Sequence, residues 1–101
     1  MLYVDKIGMI GGIYSTIGIS ELIKENPILN NFISKSINMF FKCKWGNICQ
    51  EDVEANKEAL QTGARLMGVY KNENLKIWII ADATDDNNVR TAVTVLLPEE
   101  Y

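Results

Sequence analysis

The hydrophobic positions change period along the chain, and that change predicts its elements. From 27 to 41 the apolar residues Ile28, Leu29, Phe32, Ile33, Ile37, Phe40 and Phe41 recur at three- and four-residue spacing, with Asn30, Asn31, Ser34, Lys35 and Asn38 between them. Such a stripe predicts an amphipathic helix, N-capped by Asn26 and with Pro27 at the first helical position, where a missing N–H costs nothing. A shorter helix is expected ahead of it, over 17–26, capped by the Thr16 hydroxyl. A third opens at Glu51-Asp52-Val53-Glu54, whose carboxylates suit the positive end of a helix. It should end at Thr62-Gly63, because glycine inside a helix costs about 1 kcal/mol relative to alanine.

Beyond Gly63 the period becomes two. The runs 65–71, 76–81 and 90–97 are rich in β-formers, and the polar connections 72–75 and 82–88 between them are short, so neighbours should pair antiparallel as a three-stranded meander. The middle run is apolar on both sides and is expected at the centre. Residues 2–14 mix Ile and Val with Gly8, Gly11 and Gly12, which predicts an edge strand with a bulge, or a short hairpin. The expected fold is α+β: an antiparallel sheet of four or five strands, with two or three helices on one face. At 101 residues the chain is read as a single domain, 1–101.

Charge divides the chain. Residues 1–44 carry a net +2 and residues 45–101 a net −5. The acidic half argues against direct binding to a phosphate backbone, which needs clustered Lys and Arg, and favours a protein partner with a basic surface. No apolar run approaches the roughly 20 residues of a membrane span, and the first residues do not read as a secretory signal, so a cytoplasmic protein with no membrane association is expected. Cys43 and Cys49 are read as free thiols, since two thiols without any histidine cannot complete a zinc shell. No cofactor or metal site is expected.

Three constellations carry candidate chemistry. Asp52 and Asn56 lie one helical turn apart, with Arg65 on the following strand, and can be read as an anion- or amide-recognising trio joined by Asp82. The competing reading is structural: Asp52 caps its helix, Asn56 bonds to the Trp45-Gly46 backbone, and Arg65 pairs with an acid such as Asp52. Trp45, Tyr70 and Trp78 are candidates for an aromatic patch, with Trp45 either plugging the core or anchoring a partner. Asp82, Asp85 and Asp86, with Asn87 and Asn88, form an acidic turn that lacks the glycine and terminal Glu of a calcium loop.

The residues Trp45-Gly46, Asp52, Asn56, Gly63, Arg65-Leu66, Tyr70, Trp78-Ile79-Ile80 and Leu96-Leu97-Pro98-Glu99-Glu100-Tyr101 resemble a family of small plasmid- and phage-encoded bacterial proteins, labelled plasmid-related or type I restriction subunit M. The resemblance runs over 45–80 and 94–101 and is weak before residue 44. A methyltransferase is not expected, since no cofactor-binding glycine loop is present. Where the family carries a His five residues before the Trp, this chain has Phe40; the family's Gly-Asp before Trp-Gly is Cys43-Lys44; its Thr-Glu-Ala-Asp is Ala81-Asp82-Ala83-Thr84. With no histidine, acid–base chemistry would fall to carboxylates or a Lys.

The resemblance implies a non-enzymatic, protein-binding accessory factor of a mobile genetic element, directed at a host or defence-system protein such as a CRISPR or restriction complex. Partner contacts are expected at Trp45, Tyr70, Asp82, Asp85 and Asp86. The alternatives are a small ligand-binding or enzymatic module built on Asp52, Asn56 and Arg65, and a nucleic-acid-binding protein using the Lys-bearing first half. An exposed sheet edge from the Gly-rich first strand allows a homodimer.

Overall fold

The computed structural model describes residues 2–101. In chain order the elements are β1 (Leu2–Val4), β2 (Gly8–Ile10), β3 (Ile13–Ser15), α1 (Ile17–Glu25), α2 (Leu29–Phe41), α3 (Gln50–Thr62), β4 (Leu66–Lys71), β5 (Lys76–Ala81), β6 (Val89–Arg90), β7 (Val93–Leu96) and a 3-10 turn (Pro98–Glu100). The strands form two mixed sheets, ordered β1-β2-β6 and β3-β7-β5-β4.

The C-terminal strands pair as expected: β5 lies between β4 and β7, antiparallel to both. The wholly antiparallel sheet does not form. β2 runs parallel to β6 and β3 parallel to β7, because the first segment returns beside the last one. The two parallel ladders continue across a bend at Gly11-Gly12, where Gly11 N–H donates to the Arg90 carbonyl at 2.8 Å and Val93 N–H to the Gly12 carbonyl at 2.9 Å. The Thr91 carbonyl sits where a Cβ of Gly11 would be, so the close approach requires glycine there. The run expected at 90–97 is accordingly split into β6 and β7.

Alternation along the strands sorts the core. Leu66, Tyr70, Ile77, Ile79, Ala81, Val93 and Val95 share one face and are buried together with Ile19 of α1, Ile33 and Phe40 of α2 and Ala59 of α3. Full burial of each Ile or Leu in this layer contributes roughly 2 kcal/mol. Phe40, at the end of α2, meets Trp45 edge-on at 5.3 Å between ring centroids.

Helix ends differ from expectation in two places. Thr16 caps α1 as expected, accepting from Ile19 N–H. Asn26, however, closes α1 instead of opening α2, and its carbonyl accepts from Leu29 N–H; Pro27 and Ile28 form the intervening turn and α2 starts at Leu29. The N-cap of α3 is Cys49, not Asp52, which sits exposed in the first turn. Gly63 closes α3 with φ +83°, a left-handed cap that glycine accepts without penalty.

One lock was not foreseen. Arg90 is 2% exposed and has no carboxylate partner among the described residues. Its guanidinium donates instead to four backbone carbonyls: Ile7 at 3.4 Å, Ala64 at 2.6 Å, Asp82 at 3.0 Å and Ala59 at 3.2 Å. Ala59 lies in the last turn of α3, whose negative end favours a cation. Arg90 thereby ties the β1–β2 turn, the end of α3 and the end of β5 together. Burial lowers its pKa from the usual value.

Candidate functional site

A strand at the edge of a sheet leaves alternate N–H and C=O groups unpaired, and the two edges of the four-stranded sheet treat them differently. On β4 the outward groups belong to Met67 and Val69 and, at the end of the strand, to Lys71. Asn56 of α3 is 4% exposed and meets Met67 as a strand residue would: its Nδ2 donates to the Met67 carbonyl at 2.8 Å, and its Oδ1 accepts from Met67 N–H at 3.2 Å. Val69 is matched by the loop after α2, with Val69 N–H donating to the Trp45 carbonyl at 2.9 Å and Asn47 N–H to the Val69 carbonyl at 2.6 Å.

That loop is pinned from several sides. Trp45 is buried in the core, and the Tyr70 hydroxyl donates to the Lys44 carbonyl at 2.7 Å. Gly46 has φ +76°, and the Val69 carbonyl occupies the space a Cβ would need. Cys43, at φ +61°, turns the chain out of α2. Burial, with the Cys43 sulfur nearby, raises the Tyr70 pKa well above its usual value, so the phenol keeps the proton it donates.

The C-terminal residues form a second closure. Glu100 Oε1 accepts from the Thr16 hydroxyl at 2.5 Å and from Leu97 N–H at 2.9 Å, and Oε2 accepts from Gly18 N–H at 3.1 Å. A carboxylate at the positive end of α1 is favourable, and these donors hold its pKa below the usual value, the Thr16 hydroxyl contributing most. Tyr101 lies against Trp78 at 5.1 Å and receives a hydrogen bond from Arg65 at 2.6 Å.

These placements rearrange the candidate residues. Arg65 pairs with Tyr101, not with an acid, and its guanidinium stands 5.4 Å from that ring. Asn56 is buried on Met67 while Asp52 is exposed, so no Asp52, Asn56 and Arg65 trio forms. Trp45 and Tyr70 are buried, with the Trp45 carbonyl and the Tyr70 hydroxyl engaged at the loop. Asp82, Asp85 and Asp86 are exposed.

The acidic loop is ordered by its own backbone. Asp85 Oδ1 accepts from Asn87 N–H at 2.8 Å and Val89 N–H at 3.0 Å, with Asn88 in the left-handed region at φ +61°. Asp82 Oδ2 accepts from the Thr91 hydroxyl at 3.1 Å. Among the described residues the one ion pair is Lys57–Glu54, so none of the three loop carboxylates has a cation partner there. Beside the loop, a cleft of about 450 Å³ is lined by Met9, Gly11, Val89, Thr91, Asp85 and Asn87. Tyr3, Met9 and Val89 are successive register partners across β1, β2 and β6, and Tyr3 is 68% and Met9 40% exposed. The Tyr3 and Met9 contribution was missed from sequence. Its signal was Ile10, whose burial leaves the preceding strand residue Met9 on the other face.

A second, polar cleft of about 300 Å³ lies between the β1–β2 turn and the end of α3, with Lys6, Thr84 and Arg90 in its lining. Arg90 is committed there to the carbonyls already described. The shifted groups are held in unreactive forms at neutral pH: Cys43 is raised by burial and stays a thiol, Tyr70 stays a phenol, and Glu100 stays ionised. Among the described residues no cluster of three His, Cys, Asp or Glu converges on a metal-sized site, and no helix is long and apolar enough to cross a membrane. Comparison with protein-family models, with curated proteins and with solved structures gives no match to this chain.

Proposed function

We propose that this chain acts by binding another protein through the exposed apolar residues Tyr3 and Met9 and the acidic loop beside them. One observation carries the reading: exposed Met9 shares a cleft with Asp85, whose loop also carries Asp82 and Asp86, and none of the three carboxylates has a cation partner among the described residues. An apolar surface rimmed by polar groups is the usual form of a protein-binding site, and unpaired carboxylates select a basic partner. The matching partner surface presents an apolar side chain flanked by Lys or Arg. The resemblance of 45–80 and 94–101 to proteins of plasmids and phages adds the setting: a non-enzymatic, cytoplasmic accessory factor of a mobile element that inhibits a host CRISPR or restriction complex.

The test is capture from a bacterium carrying such complexes, with the wild-type chain beside Met9→Glu and Asp86→Lys variants. The wild type should retain a defence complex in a salt-sensitive manner, and both variants should lose it while keeping the wild-type melting temperature. Retention of no defence protein, or equal retention by the variants, overturns the reading. A melting temperature raised by nucleotides or metal ions would instead favour a ligand-binding module, because a ligand that binds only the native state stabilises it.

A further inference from the structure

We infer that the open edge of β3 pairs with β3 of a second copy of this chain, antiparallel and centred on Tyr14. The bonds flanking β3 are Val93 N–H to the Gly12 carbonyl and Thr16 N–H to the Val95 carbonyl. Residues 12, 14 and 16 therefore turn their backbone groups toward β7, and alternation leaves the N–H and C=O of Ile13 and Ser15 pointing away from it. Among the described residues, β3 pairs with β7 alone. The chain covers the edge of β2 with β1, but that strand is in register only as far as Leu2 opposite Ile10.

The edge is complementary to itself. With Tyr14 facing Tyr14 of the second copy, Ile13 of each chain stands opposite Ser15 of the other. Both residues then present the outward groups that a hydrogen-bonded antiparallel pair exchanges. The two-fold relation also carries Ile17 of the second copy toward Leu2. These two apolar residues, 76% and 52% exposed, are otherwise uncovered. A different partner strand could use the same hydrogen bonds, but the match between Leu2 and Ile17 arises from two copies of this chain. The contact is small and gives a reversible, concentration-dependent dimer. It joins two four-stranded sheets edge to edge and is independent of the acidic loop.

The register gives the test. Residues facing each other in a non-hydrogen-bonded pair have Cα atoms about 4.5 Å apart, within the range a disulfide spans. In a Cys49→Ser background, Tyr14→Cys should form a covalent dimer under mild oxidation by diamide, whereas Ser15→Cys, which faces Ile13 of the second copy, should form much less. Tyr14→Lys sets like charges against each other across the two-fold. It should abolish the dimer in sedimentation equilibrium while leaving the thermal midpoint of the monomer unchanged. Cross-linking of Tyr14→Cys no greater than the background, or a wild-type chain that stays monomeric at millimolar concentration, overturns the pairing.

Discussion

The two edges of the four-stranded sheet solve the same problem in opposite ways. At β4 every outward backbone group of Met67 and Val69 is engaged, by the amide of Asn56 and by the backbone of Trp45 and Asn47. At β3 the corresponding groups of Ile13 and Ser15 meet no partner among the described residues. The residues that close β4 come from α3 and the loop after α2; those that leave β3 open lie in the first segment. The contrast teaches that one edge of the sheet is closed by side-chain and loop backbone groups, while the other is left able to pair.

Substitutions can break the contrast, beginning with the closed edge. Gly46→Val should cost roughly 3 kcal/mol of stability by chemical denaturation, because it adds a left-handed conformational penalty to a clash with the Val69 carbonyl. Asn56→Leu keeps the volume but leaves the Met67 groups without partners, and should cost about 2 kcal/mol in the same measurement.

Glu100→Gln probes the C-terminal closure through pH. The Glu100 pKa is depressed below its usual 4.5, so its stabilisation is present above that value and is lost as pH falls through the folded-state pKa. Thermal melts should therefore show the variant less stable than wild type near neutral pH, with the difference disappearing in acid. Ile13→Pro is the smallest expected perturbation. It removes an N–H with no partner among the described residues, so it should cost less than about 1 kcal/mol while weakening the dimer.

Local pattern and long-range pairing were not equally legible in the sequence. The helical stripe from Ile28 to Phe41, the Thr16 cap, the Gly63 terminus and the central position of β5 all follow from spacing and capping chemistry, which act within a few residues. One of the two readings the sequence offers for Asn56 makes it a backbone anchor for the Trp45-Gly46 loop; instead, it and the loop attach to β4 two residues apart. The parallel pairing of β3 with β7 and the contact of Glu100 with Thr16 join opposite ends of the chain, and nothing in either segment alone encodes the other. Arg90 could have been suspected from a lone cation between Val89 and Val93 in an apolar strand, but its carbonyl partners lie on four separate segments. Of the candidate site, the acidic loop was legible because Asp and Asn form turns. The Tyr3 and Met9 row beside it depends on strand register, which short glycine-rich strands specify weakly.

Amide hydrogen exchange compares the edges most directly. In dilute protein, Val69 N–H should exchange only through global unfolding, while Ile13 and Ser15 exchange orders of magnitude faster and slow down as concentration rises. Equal protection of Ile13, Ser15 and Val69 in dilute protein would contradict the account.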